Sequence, residues 1–164
     1  MTVPGTTGRI LIADLTTGKT RIESPGDEVY RNYLGGYGLG AYLLYTMQPA
    51  GADPLGPENT LGFFAGMLTG TGGITTNRFT VVAKSPKTGG WGDANGGGTF
   101  GPAMKGSGLD GILITGAAKQ PVHLLWRDGR AEILRAGDWW GLDTGEVDNR
   151  VHELYGPNAR AACI

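Results

Sequence analysis

The sequence predicts an α+β fold, and three features point to it. Strand-like runs are joined locally by glycine-centred turns, at Thr17-Gly18-Lys19 and at Arg127-Asp128-Gly129-Arg130. Charged, helix-compatible stretches stand apart from those strands instead of alternating with each of them, which argues against a parallel doubly wound sheet. A hairpin, helix, strand order occurs once in each half of the chain and reads as an internal duplication. The duplicated units are expected to form mixed or antiparallel sheets that serve as a base for a ligand.

The elements follow in order. Residues 9–15 (RILIADL) are strand-like, and residues 20–23 return from the first turn to pair with them. Residues 27–33 are charged and helix-compatible. Residues 35–40 are glycine-punctuated, and residues 41–47 (AYLLYTM) read as a buried helix. Residues 49–57 carry the prolines and glycines of a loop. Residues 61–65, 79–83 and 111–115 are apolar strands. In the second half, residues 122–126 and 131–134 form a hairpin about an Asp-Gly turn. Residues 143–155 form a charged helix with Val147, Val151 and Leu154 on one face. Residues 158–164 then begin a further strand. A chain ending inside a strand is expected to be one domain, residues 1–164, truncated at its C-terminal end.

Composition excludes several classes. With 14 basic and 15 acidic residues there is no net field to attract nucleic acid or an anionic membrane. No apolar run approaches the roughly 20 residues that cross a bilayer. The start, MTVPGTTGR, lacks the charged and apolar regions of a secretory signal, so the expectation is a cytoplasmic protein. Cys163 is the single cysteine, which excludes an internal disulfide framework and any cysteine-ligated zinc or iron–sulfur site built by this chain alone. Glycine, at 31 of 164 residues, is the outlier. It has no collagen period and is interleaved with apolar runs, so neither fibre nor disorder explains it.

The glycines concentrate in residues 75–111, TTNRFTVVAKSPKTGGWGDANGGGTFGPAMKGSGLDG. A strand-like run from Arg78 to Lys84 leads into a segment where only Arg78, Asp93 and Asn95 offer prominent functional groups. Bare backbone lets a ligand approach closely and presents N–H donors to an anion. An arginine just upstream supplies a permanently charged planar fork suited to phosphate. Composition alone leaves a second reading open, a mobile glycine loop with a surface arginine.

Other motifs are set aside. Gly36-x-Gly38-x-Gly40 has the wrong spacing and context for a dinucleotide fingerprint, and close packing of a helix start against a sheet suits it better. There is no phosphate loop of the GxxxxGK(S/T) type and no GxSxG elbow. His123 and His152 lack partners at metal-like spacing and read as structural histidines. Turn roles suit Asp93 and Asp110 better than catalysis. Trp139-Trp140 reads as a buried aromatic anchor between hairpin and helix. The chain thus carries anion-binding equipment and little to perform chemistry, a pattern that suits a platform for a reactive cofactor.

The segments RNYLGGYGLGAYLLY, PLGPENTLGFFAGMLTGT, NRFTVVAKSPKTGGWGDANGGGTFGPAMKGSGLDGILITGAAKQPV and DWWGLDT resemble, in one register, the N-terminal domain of the aldehyde ferredoxin oxidoreductase family. The pattern R-(F/Y)-x-V-V-x-K-S-P-x-T-G followed by A-N-x-G-G-x-F-G is its most specific part. The resemblance implies an α+β duplication forming the base for a tungsten or molybdenum bis-pterin cofactor. It implies cofactor contacts from Arg78, Asn95, Gly96 and Gly97. It further implies a magnesium ion bridging the pterin phosphates, held partly by main-chain carbonyl at Asn95. A side chain at Gly97 is expected to displace the ligand or to demand a left-handed backbone. Gly96 and Thr99 depart from the serine or cysteine and the tyrosine common in relatives.

The implied activity of the full-length enzyme is oxidation of aldehydes to carboxylic acids. Electrons would pass through a 4Fe–4S cluster, held in a C-terminal part absent here, to ferredoxin or another carrier. The chain alone is expected to be inactive, and homo-oligomerisation is left open. The alternatives are a same-family enzyme with another substrate, such as an aromatic thioester reductase subunit, and a non-catalytic stand-alone binding module.

Overall fold

Apolar residues alternate across the strands and fill both faces of one sheet. In the computed structural model, which describes residues 3–163, the strands are β1 (Ile10–Asp14), β2 (Lys19–Glu23), β3 (Leu61–Ala65), β4 (Phe79–Lys84), β5 (Trp91–Gly96), β6 (Gly111–Thr115), β7 (Val122–Arg127) and β8 (Arg130–Arg135). The helices are α1 (Asp27–Tyr33), α2 (Tyr37–Met47), α3 (Phe100–Gly106) and α4 (Thr144–Tyr155). The main sheet has six strands in the order β2-β1-β6-β3-β4-β5. Only β1 and β6 run parallel; every other neighbouring pair is antiparallel. The second hairpin, β7–β8, is a two-stranded sheet of its own. The fold is therefore α+β with a mixed sheet.

On one face, Ile10, Ile12, Phe64, Val82 and Leu113 pack with Tyr30 of α1 and Leu39 and Leu43 of α2. On the other, Leu11 and Ala65 pack with Met104 of α3 and Leu109, and the β7–β8 hairpin adds Leu124, Trp126 and Ala131. The period of two is visible in β1, where Ile10 and Ile12 face α1 and α2 while Leu11 faces α3. Two glycines make room for the Phe64 ring in the core. A Cβ on Gly62 or Gly111 would come within 2.6 or 2.5 Å of the Phe64 ring. Each therefore supplies a hole in the sheet that the phenyl group fills.

The hairpin turn at Asp128-Gly129 has φ of 52° and 76°, the left-handed pair that a two-residue hairpin needs. The first turn is pinned by Asp14, whose carboxylate accepts from the amides of Thr16 and Thr17 and from the Thr17 hydroxyl. Helix α4 opens on a capping box between Asp143 and Glu146. Its Val151 is buried, but Leu154 is 59% exposed, so the expected apolar face is narrower than the sequence suggests.

Four expectations change. Helix α2 starts at Tyr37, not at residue 41, and it is only half buried, because Tyr45 is 88% exposed. Gly38 and Gly40 belong to its first turns: a Cβ on Gly38 would strike the Tyr33 carbonyl, and one on Gly40 would lie 3.0 Å from the Phe64 ring. The glycine run is thus a device for packing a helix start on a sheet. Residues 91–96 form a strand paired over six positions with β4, and residues 100–106 form a helix; both lie in the segment that reads as bare backbone. Residues 159–163 take no strand, and Ile164 lies outside the described residues. The hairpin and helix openings of the two halves recur, but the closing strand of the second does not appear among the described residues. Trp139 stacks on His123 with ring centroids 4.5 Å apart, as an anchor would, whereas Trp140 is 77% exposed.

Candidate functional site

The β4–β5 hairpin places the singled-out polar residues on one edge of the sheet. Register pairs Thr80 with Asn95 and Val82 with Asp93, so Asp93 and Asn95 share the face on which α2 begins. There Tyr37, the first residue of α2, meets them. Its hydroxyl donates to Asp93 Oδ2 at 2.6 Å and accepts from Asn95 Nδ2. The indole N–H of Trp91 donates to Asp93 Oδ1 at 3.0 Å. The Thr80 hydroxyl, itself buried, donates to Asn95 Oδ1 at 3.3 Å. The bond to Asp93, then burial, raises the pKa of the Tyr37 phenol; the Arg78 guanidinium pulls in the opposite direction.

Arg78 stands just before β4 and is exposed. Its backbone carbonyl accepts from Thr69 Oγ1 at 2.6 Å, which fixes the main chain. Its guanidinium forms no ion pair and no hydrogen bond among the described residues. Beyond Gly96 the chain leaves the sheet. The amides of Gly97 and Gly98 donate to nothing among the described residues. A Cβ at Gly98 would meet nothing within 4 Å, and one at Gly97 would meet only the Asn77 carboxamide at 3.9 Å. The left-handed backbone belongs to Gly98, with φ of 82°, and not to Gly97. Of the two reasons for glycine at 97, the open space stands and the positive φ does not.

Gly96 differs from its neighbours. It lies opposite Phe79, and a Cβ there would come within 2.5 Å of that ring. Glycine at 96 is thereby explained by cover from Phe79, which in turn packs edge-on against Phe100. Arg78, Asn95 and Gly97 come together on one edge, and Tyr37 joins them from a motif the sequence marked only for packing.

The remaining candidates fall elsewhere. Asp110 is buried and accepts from the amides of Thr7 and Gly8, from the Tyr30 hydroxyl and from Lys105 Nζ. This is a structural clamp, not the turn role expected of it. Asp93 ties Tyr37 and Trp91 together. His123 Nε2 lies 2.8 Å from the Tyr155 hydroxyl, and burial lowers the pKa of the ring. His152 faces Asp148 one helical turn away at 3.7 Å. Among the described residues no group of three or more His, Cys, Asp or Glu gathers as a metal cluster would, and no helix is long and apolar enough to cross a membrane.

A sequence model of the aldehyde ferredoxin oxidoreductase N-terminal domain matches residues 10–164. The chain belongs to that family. It is 40% identical over 154 residues to the tungsten-containing aldehyde ferredoxin oxidoreductase of Thermococcus kodakarensis, covering 94% of this chain and 26% of the relative. The enzyme of the same name from Pyrococcus furiosus is 39% identical, with 93% of this chain and 25% of the relative covered. The WOR-like subunit of the aliphatic sulfonate oxidoreductase of Pyrococcus furiosus is 36% identical over 82% of this chain and 22% of the relative. Among solved structures, the active-site complex BamBC of benzoyl coenzyme A reductase with 1,5-dienoyl-CoA matches with a TM-score of 0.90 and 32% identity. That match covers 93% of this chain and 24% of the other. The chain spans about a quarter of the length of these aldehyde ferredoxin oxidoreductases and of the reductase chain. Within the family frame, the sheet with its two packed faces is the shared scaffold, and the β4–β5 edge is the part of it that carries unspent polar groups.

Proposed function

We propose that this chain is the pterin-cofactor-binding part of a tungsten- or molybdenum-dependent oxidoreductase that converts aldehydes to carboxylic acids. Electrons would leave through a 4Fe–4S cluster, carried elsewhere in the full-length protein, to ferredoxin or another carrier. The observation that supports this best is the open β4–β5 edge. A guanidinium without a carboxylate partner stands beside two uncommitted amides, and glycine leaves the space before them empty. A phosphate-bearing ligand fits that donor set, because Arg78 supplies charge and a fork while Gly97 and Gly98 supply N–H groups. Asn95 adds its carboxamide, and its main-chain carbonyl would help to hold a magnesium ion bound with the cofactor. When bound, the metal–pterin group supplies the redox chemistry. The chain's own residues bind and orient it, and among the described residues the acid–base groups at that edge are Tyr37 and Asp93. A cytoplasmic protein, able to assemble with copies of itself, completes this reading.

A second reading keeps the same cofactor and changes the substrate to an aromatic thioester; the 0.90 match to the benzoyl coenzyme A reductase complex favours it. Anaerobic purification of the full-length protein separates the two. The first reading expects tungsten or molybdenum with organic pterin, and ferredoxin reduction by aldehydes. The second expects the same cofactor with turnover of an aromatic thioester only. Folded full-length protein with neither metal nor pterin would overturn both and leave a non-catalytic binding module.

A further inference from the structure

The geometry points to Tyr37 as the positioning residue that fixes which end of the Asn95 carboxamide is offered to a ligand, presenting the nitrogen end to an anionic oxygen. This rests on the reading of the β4–β5 edge as an anion cradle.

The direction of each hydrogen bond follows from what each group can do. An ionised carboxylate only accepts, a phenol has one proton, and a carboxamide has a donor end and an acceptor end. Asp93 accepts twice, from Trp91 Nε1 at 3.0 Å and from the Tyr37 hydroxyl at 2.6 Å. The single phenol proton is thereby committed to Asp93. Toward Asn95 the phenol oxygen has only lone pairs to offer. It therefore takes an N–H, and the carboxamide nitrogen faces Tyr37. The carboxamide oxygen is left facing the Thr80 hydroxyl, at 3.3 Å. Thr80 is 3% exposed and Tyr37 46% exposed, so the oxygen end points into the domain and the nitrogen end toward its surface. A flipped amide would set oxygen against phenol oxygen with no proton between them.

One N–H of Asn95 is used by Tyr37 and the second remains. That N–H joins the Gly97 and Gly98 amides and Arg78 as a set of donors, which suits an anionic oxygen better than a cation at the Asn95 side chain. Tyr37 and Asp93 need not touch the ligand. They act through Asn95.

The test uses the full-length holoenzyme and reads the first-order rate at which tungsten or molybdenum is lost during mild heating, alongside the melting temperature. Tyr37→Phe keeps the ring and removes the hydroxyl. It is expected to speed metal loss roughly two- to tenfold, the range of one hydrogen bond. In an Asn95→Ala background the same change is expected to add nothing, since its only route is then gone. Asp93→Asn, which frees the phenol proton, is expected to act in the same direction and stands in if Tyr37→Phe folds poorly. Full additivity of Tyr37→Phe and Asn95→Ala would overturn the inference, as would a metal-loss rate unchanged by both Tyr37→Phe and Asp93→Asn. If Arg78→Ala accelerates the loss in that case, the cofactor reading survives without it; if Arg78→Ala is also silent, both fall.

Discussion

The phenol of Tyr30, on α1, donates to the carboxylate of Asp110, 2.9 Å away, across 80 residues of sequence. Asp110 also takes the amides of Thr7 and Gly8 and the ammonium of Lys105 at 2.6 Å. One buried carboxylate therefore ties the entry to β1, the first helix and the α3–β6 junction together. Removing it in Asp110→Ala strands a largely buried Lys105, whose side chain is 11% exposed. The expected cost is about 3–5 kcal/mol of unfolding free energy, the usual penalty for breaking a buried pair. Denaturant unfolding checks this, and a loss below about 1 kcal/mol would assign the clamp no structural role.

The same pair gives opposite pH limbs. Burial opposes ionisation of Asp110, but the bond from Lys105, the Thr7 amide and the charge of Lys105 outweigh it and hold the carboxyl below its ordinary value. A depressed acid contributes stability that is present above its unfolded pKa, about 4, and is lost as pH falls through the folded value. Burial and the charge of Asp110 push the Tyr30 phenol far up. Its contribution is complete below the unfolded phenol pKa of about 10 and declines as pH rises beyond that, where only the unfolded chain ionises. Melting temperature against pH is expected to fall on both sides. Asp110→Asn should flatten the acid limb and Tyr30→Phe the alkaline one; parallel curves for wild type and variants would contradict the assignment.

Glycines of equal appearance in the sequence are expected to respond oppositely. Gly62→Ala drives a methyl into the Phe64 ring, and overpacking of this kind costs about 1–3 kcal/mol. Gly106→Ala, in α3 with open space around it and no left-handed backbone, is expected to be neutral or to stabilise by up to about 1 kcal/mol. Thermal unfolding of the two variants decides the matter.

How far the sequence carries can be judged at particular residues. Hairpins were legible because Gly18 and Asp128-Gly129 mark their turns, and β3, β4 and β6 because their apolar runs stand between turn residues. Strand β5 was not, because Trp91–Gly96 contains no β-branched residue, includes Gly92 and Gly96, and is followed by Gly97 and Gly98; pairing with β4, not local propensity, makes it a strand. Helix α3 hid for the same reason, its glycines and Pro102 masking a short element held by Met104 and Phe100 on the sheet. At the candidate site, Arg78, Asn95 and Gly97 were named from the sequence and the resemblance. Tyr37 was missed, since a phenol inside a glycine run signals packing, and only the fold brings it to Asp93.

Gly97 offers a second test. A Cβ there meets no described atom nearer than 3.9 Å, and the position needs no left-handed backbone. Gly97→Val in the full-length protein is therefore expected to lose cofactor while keeping its melting temperature in the cofactor-free form. Gly72→Val, at φ of 81° with nothing within 4 Å, is expected to show the reverse, a strain cost without loss of cofactor. Equal metal content in the two variants would reduce the turn after Asn95 to an ordinary loop.

The most direct measurement of the central claim is the tungsten or molybdenum and pterin content of the full-length protein carrying Arg78→Ala, beside Arg127→Ala as a surface control whose nearest carboxylate, Asp128, is 3.7 Å away and exposed. Loss of a charge-assisted contact removes about 1.5–3 kcal/mol. The account predicts that Arg78→Ala sheds most of its metal and pterin with an intact fold while Arg127→Ala keeps both. Full occupancy in Arg78→Ala would contradict it.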